Sequence, residues 1–174
     1  MRSAILVAVG CLMLNALAGE PLVLAKGGQT EFCVVVSDDA TEAEKYAAQE
    51  LAAYLGKLSG AAFAIEGPAA AGDKPAIRLK FDSDLGGEEY QLKAGSKGLT
   101  IAGGRPRGVL YGVYALLEDE LGCRWFTRDC ERVEKKDPLT VPGDLKVRVK
   151  PRLEYREPYW TEAFDGDWAA RNRV

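Results

Sequence analysis

Apolar positions recur along this chain with two different periods, and each change of period marks a new element. Glu31 to Ser37, EFCVVVS, is a nearly unbroken β-branched run and predicts a buried strand. Asp38 to Ala40 turns the chain. Thr41-Glu42-Ala43-Glu44 then has the form of a capping box, in which the Thr41 hydroxyl suits the amide three residues on and Glu44 reaches back. The helix that follows runs to about Leu58. Tyr46, Ala47, Glu50, Leu51, Tyr54, Leu55 and Leu58 show its period, with the apolar members facing inward, and Gly60 ends it. Phe63 to Ile65 predicts a short strand, and Glu66 to Lys74 a Gly/Ala/Pro loop. Ala76 to Phe81, AIRLKF, alternates apolar and basic residues, which predicts a strand with one solvated face. Glu89 to Ala94 and Gly98 to Ala102 predict a hairpin around Gly95-Ser96-Lys97.

The stretch from Arg105 to Phe126, RPRGVLYGVYALLEDELGCRWF, predicts a Gly-rich turn, a helix and a strand. Pro106 suits a first helical turn, and Gly122 suits the left-handed position just past the end. Leu110, Val113, Tyr114, Leu117 and Leu121 share one face, which must cover a sheet. Leu139 to Val141 and Leu145 to Val149 predict further short strands after a polar stretch ending at Asp137. The order is β-α-β-β-β-β-α-β with extra strands. It implies an α/β fold: a two-layer sandwich with a mixed sheet of five to seven strands and both helices on one face. No internal repeat is present. A boundary falls at Lys150-Pro151. It separates an α/β domain over residues 19–150 from residues 151–174, where Arg152 to Arg156 reads as one more strand. The abrupt stop at Val174 leads to the expectation that the sequence is a fragment of a longer protein.

Composition changes this picture only at the edges. Of the residues, 47% are hydrophobic, so a core can form and disorder is not expected. A net charge of −3 gives no general attraction to nucleic acid or anionic membranes, and no nucleic-acid partner is expected. The chain has no histidine, which excludes a His-ligated metal site or a His-based triad within it. No cofactor and no metal are expected. Residues 1–18 predict a signal peptide: Arg2, the apolar run from Ala4 to Leu14, and Ala16-Leu17-Ala18 as the small-x-small cleavage signal. Cleavage before Gly19 implies a secreted or periplasmic protein with no membrane attachment. It also leaves Cys33, Cys123 and Cys130. Of these, Cys123 and Cys130 are the nearer pair for a disulfide, the alternative being three packing thiols.

Four groups of residues bear on chemistry. Gly103-Gly104-Arg105-Pro106-Arg107-Gly108 offers an anion-binding turn, or simply a tight entry into the helix. It lacks the endings of the nucleotide-binding loops. Glu118, Asp119 and Glu120 point about 100° apart on a helix, so they do not converge as an acid/base pair and suit a solvated face. Tyr111, Tyr114, Trp125 and Phe126 are either a sugar platform or core. Tyr155, Arg156, Glu157, Tyr159, Trp160, Glu162, Asp165, Asp167 and Trp168 combine an arginine, carboxylates and indoles. That set suits polyol recognition, or a terminus whose aromatics pack on further chain. Substrate binding is assigned here to Arg156, Glu157, Trp160 and Asp165, and no catalytic residue is assigned.

ATEAEKYAAQELAAYLGKLSG (Ala40 to Gly60) and GLTIAGGRPRGVLYGVYALLEDELGCRWF (Gly98 to Phe126) together resemble the N-terminal accessory domain that precedes the catalytic barrel in several glycoside hydrolases. The nearest types are family 67 α-glucuronidases and family 20 β-hexosaminidases, and nearer still is an uncharacterised family of exported bacterial proteins. The likeness runs from about Phe32 to Arg156. It implies a domain that does no chemistry and braces a (β/α)8 barrel, with residues 151–174 as the start of that barrel and Arg152 to Glu157 as its first strand. Arg156 then matches an arginine that contacts the non-reducing sugar, although Glu157-Pro158 follows where glycine is usual. The resemblance implies a parent protein active on polysaccharide through two downstream carboxylates. Its expected partners are carbohydrate and, within the molecule, the barrel. The alternative is a glycan-binding surface module without catalysis.

Overall fold

The computed structural model describes residues 19–174. The predicted signal peptide lies outside the described residues. The chain opens with β1 (Leu22–Ala25) and β2 (Cys33–Val35), then α1 (Glu42–Ser59), β3 (Ile65–Glu66) and the short α2 (Pro68–Ala71). Three longer elements follow: β4 (Ala76–Phe81), β5 (Tyr90–Gly95) and β6 (Gly98–Gly103). Beyond them lie α3 (Gly108–Ala115), β7 (Arg124–Thr127), β8 (Cys130–Arg132), β9 (Leu139–Val141), β10 (Lys146–Val149) and α4 (Gly166–Arg171).

The main sheet has six strands in the order β10-β5-β6-β4-β2-β3. It is mixed, as expected. β2 pairs parallel with β3 and β4, and β4 parallel with β6, whereas β5 runs antiparallel to both β6 and β10. Antiparallel β5–β6 needs only a two-residue loop, Ser96-Lys97, while each parallel pair needs a longer crossover. Two ribbons stand apart from this sheet, β1 with β9 and β7 with β8. The strand expected at Leu139 to Val141 therefore forms but belongs to a ribbon with β1, a strand not expected from the sequence.

α1 begins with the predicted capping box. The Glu44 N–H donates to the Thr41 hydroxyl at 3.3 Å, and the Thr41 N–H donates to the Glu44 carboxylate at 2.8 Å. Gly60 ends it with φ +77°, a conformation that costs glycine nothing. Ala47, Leu51, Tyr54, Leu55 and Leu58 are buried against the sheet and α3.

α3 differs from expectation in two ways. It starts at Gly108, so Pro106 lies outside it, and its α-helical part stops at Ala115. Residues Leu116–Glu120 continue as a wider π turn, with the Leu121 N–H donating to the Leu116 carbonyl at 3.0 Å. Gly122, at φ +78°, then turns the chain into β7 as expected. All eight residues of α3 are buried, because the sheet, α1 and α4 enclose it from three sides. A Cβ on Gly112 would lie 2.7 Å from Ile101 Cγ2, so glycine is what lets this helix lie close on β6.

α2 packs on the sheet's other face, where Ala71 joins Cys33, Val35 and Ala76 in a small apolar cluster. The segment after β10 departs most from expectation. Residues 151–160 are irregular, and the strand expected at Arg152 to Arg156 does not form. A barrel strand is held by hydrogen bonds to neighbouring strands, and none of the described strands lies alongside this one. Thr161–Phe164 forms one 3-10 turn, and α4 follows it.

Candidate functional site

The segment 151–174 and the loop before β5 enclose a cleft of 260 Å³ lined by Glu88, Arg107, Glu154, Arg156 and Glu157, among others. Glu88, which the sequence had not singled out, is its centre. Its carboxylate accepts from Arg156 Nη2 at 2.6 Å and from Arg107 Nη2. Arg156 also donates through Nη1 to the Leu153 carbonyl at 2.6 Å and through Nε to the Arg173 carbonyl at 3.1 Å. Both guanidinium groups stand over the Tyr111 ring, at 5.6 Å for Arg107 and 5.9 Å for Arg156. Arg156 thus ties the segment to the body of the fold. Glu157 lies on the rim of the same cleft, exposed.

Trp160 and Asp165 do not line this cleft. Trp160 is 56% exposed on the outside of the segment. The Asp165 carboxylate accepts the Trp168 N–H at 2.8 Å and so caps α4. Of the remaining acids, Asp167 accepts from the Tyr46 hydroxyl at 2.8 Å, and Glu162 from the Arg128 N–H at 3.3 Å. Burial, with Asp167 as a secondary cause, pushes the Tyr46 phenol up to about 12. The structure therefore brings together Arg156 and Glu157 of the four expected binding residues, and employs Asp165 in holding a helix.

The aromatics of the Arg105–Phe126 stretch divide in the same way. Tyr111, Tyr114 and Trp125 are core, and Phe126 alone is exposed. Trp125 meets the rings of Tyr54 and Tyr114 edge-on, at 5.4 and 5.6 Å, and its Nε1–H donates to the Tyr54 hydroxyl at 2.8 Å. The Tyr114 hydroxyl donates to Glu50 at 2.9 Å, and Arg171 of α4 donates to the same carboxylate at 3.1 Å. These rings are not a platform for sugar.

The arginines of the Gly-rich turn are likewise occupied. Arg105 donates to Glu44 at 2.9 and 3.1 Å, and Arg107 to Glu88. Burial opposes the charge on Glu44, yet the Arg105 guanidinium and the Thr41 N–H outweigh it and hold the carboxyl below its usual range. A Cβ on Gly104 would lie 2.0 Å from the Gly86 carbonyl oxygen, so glycine there permits two loops to touch. Cys33, Cys123 and Cys130 are free thiols, so of the two alternatives the Cys123–Cys130 bridge is not the one formed here. Cys123 is buried ahead of β7, while Cys130 is exposed and pairs with Thr127 at the far end of the hairpin. That places the two thiols several residues apart along a ribbon, farther than a disulfide spans.

Residues 26–118 match the family model of glycosyl hydrolase family 20, domain 2. The chain belongs to that family. It carries an N-terminal accessory domain of glycoside hydrolases, the fold seen in three solved relatives. One is the N-acetyl-β-hexosaminidase of Streptomyces plicatus, at 22% identity and a TM-score of 0.56, covering 79% of this chain. Another is the family 20 β-N-acetylhexosaminidase of Streptomyces coelicolor, at 22% identity and 0.57 over the same share. The third is a family 115 4-O-methyl-α-glucuronidase with specificity for decorated arabinogalactans, at 17% identity and 0.58 over 76% of this chain. No curated protein matches. The chain spans 25% of the length of each hexosaminidase and 19% of the glucuronidase.

Proposed function

We propose that this domain is the non-catalytic N-terminal part of an exported carbohydrate-active protein, with residues 151–174 beginning its next, barrel-forming region. The family 20 domain 2 match across residues 26–118 carries the reading. The surface of the following segment supports it. Leu153 is 64%, Tyr155 75%, Tyr159 100% and Phe164 74% exposed, a density of apolar side chains that suits burial against further protein. In the body of the fold the buried carboxylates Glu44 and Glu89 are paired with Arg105 and Arg148, which suits bracing. In this reading the parent protein acts on glycosidic bonds in polysaccharide breakdown, and the bond-breaking contact with carbohydrate is made beyond this domain. Cleavage after Ala18 delivers it to the periplasm or the exterior.

The test is turnover by the chain of an aryl N-acetyl-β-glucosaminide and an aryl α-glucuronide. None is expected, and measurable hydrolysis by this chain overturns the reading. A second reading, a glycan-holding module, is favoured by the cleft at Arg156 and Glu157. It predicts a change in tryptophan fluorescence on titration with oligosaccharides, abolished by Arg156→Ala. An unchanged signal at millimolar sugar removes it.

A further inference from the structure

On the face of the main sheet turned away from α1 and α3, α2 covers only the β2 end. Beyond it the register lines up long basic side chains. Ile77 and Leu79 point into the core, so Arg78 and Lys80 point out. Lys93, next to inward Leu92, and Lys146, next to inward Val147, point the same way. Pairing places Lys146, Lys93, Thr100 and Arg78 in one row across four strands, and Gln91, Ala102 and Lys80 in the next. Lys80, Lys93 and Lys146 are exposed and Arg78 is half-buried.

The acids near this face are already engaged. Glu66 pairs with Lys74 at 3.0 Å, Asp73 with Lys97 at 3.1 Å, and Glu89 with Arg148 at 2.7 Å. Asp82, at the end of β4, accepts the Asp84 N–H. Among the described residues, Arg78, Lys80, Lys93 and Lys146 have no carboxylate partner. A chain of net charge −3 therefore carries a net positive field on this face, four cations without a carboxylate partner against the charge of Asp82 at its edge.

The surface also has a shape. β6 turns Gly98, Thr100 and Ala102 outward, and these small residues floor a trough between the basic side chains of β5 and β4. Those walls stand two strand spacings apart, roughly 10 Å. Two adjoining depressions, of 490 and 400 Å³, share Gly72, Arg78 and Thr100. Pro68, exposed, gives the second an apolar flank, with Val35 and Ala71 buried beneath it. No aromatic side chain lines either one, so the stacking surface that holds single-stranded nucleic acid is missing from their walls.

We propose that this open face binds an acidic polysaccharide, a chain of uronate-type sugars laid along the β6 trough. Arg78, Lys80, Lys93 and Lys146 receive its carboxylates, and the apolar flank receives the faces of its rings. The choice of a glycan as occupant rests on the carbohydrate-active reading above; the basic face does not. Such a surface holds the parent protein on an acidic polysaccharide while chemistry takes place elsewhere.

Affinity electrophoresis of the full chain tests this, in gels containing polygalacturonate or a neutral glucan and with duplex DNA as a third probe. Retardation by polygalacturonate alone is expected, weakening as salt is raised. The double variant Lys80→Gln, Lys93→Gln removes two exposed charges. It is expected to weaken binding about tenfold with an unchanged melting curve. No retardation at low salt, or a double variant that binds like the parent chain, overturns the proposal. Equal retention by DNA also overturns it and assigns the face to nucleic acid. The altered residues lie on the opposite side of the sheet from α1 and α3. Loss of polyuronate binding therefore leaves the hydrolysis test unaffected, and the reverse holds too.

Discussion

The body of the fold, β1 to β10, and the segment 151–174 are held by different forces. The body closes around one apolar cluster in which Leu51, Tyr54, Ile77, Leu99, Ile101 and Tyr114 are fully buried. The segment has no fully buried residue and shows Tyr155, Tyr159 and Phe164 to solvent. It is attached by Trp168 and Ala170, half-buried against that cluster, and above all by side-chain ion pairs: Arg156 with Glu88 at 2.6 Å, Arg171 with Glu50 at 3.1 Å and Arg173 with Glu118 at 2.6 Å. Burial is non-directional and grows with apolar area, whereas partly exposed ion pairs each contribute little. The body is thus the stable unit, and the segment is docked on it by contacts that further protein can supplement.

The largest effect is expected where the body's rings meet. Trp125→Ala removes the indole that fills the gap between Tyr54 and Tyr114 and leaves the Tyr54 hydroxyl without its donor. A loss of about 3–5 kcal/mol in urea unfolding follows for a buried tryptophan. A loss below about 1 kcal/mol would show that these rings are not the centre of the core.

This difference of forces also explains what could be read from sequence. The 3.6 period from Glu42 to Leu58 and the alternation of Ala76 to Phe81 gave α1 and β4 at their observed positions, because both report burial directly. The capping box was legible because its two partners are three residues apart. β1 and β8 were missed: their partners lie far away or are polar, and all three residues of β8 are exposed. The site was less legible than the fold. Arg156 pairs with a residue 68 positions away, and nothing in the sequence around Glu88 signals that it bridges two arginines. Asp165 looked like a sugar ligand because an acid beside indoles suits both binding and helix capping. Only its place ahead of α4 decides between them.

A second, smaller effect sharpens the contrast within the body. Glu44→Ala removes the capping box of α1 and the partner of Arg105, at a cost of about 1–2 kcal/mol. Glu44 is held below its usual carboxyl range in the folded state. Its contribution is therefore fully present above the pKa of the unfolded carboxyl and is lost as pH falls through the lower, folded value. Urea midpoints measured from pH 6 downward should fall for the parent chain, beginning near the unfolded value of 4.5, and fall less steeply for Glu44→Ala. Parallel profiles would show that Glu44 does not carry the acid sensitivity.

The smallest global effect and the clearest local one belong to Arg156→Ala. Glu88 keeps Arg107 as a partner when Arg156 is removed, so no buried carboxylate is left alone. Global stability should change by less than about 1 kcal/mol. Locally the variant loses the bonds to Glu88 and the Arg173 carbonyl, and with them part of the attachment between segment and body. Chymotryptic cleavage after Tyr155 or Tyr159 should then quicken about fivefold, since cleavage follows the population of the opened segment. Glu88→Ala releases both arginines and should quicken it further. If Arg156→Ala instead lowers the urea midpoint as far as Trp125→Ala does, segment and body unfold as one unit. Equal cleavage in all three chains would mean that α4, through Arg171 and Arg173, holds the segment without help from Arg156.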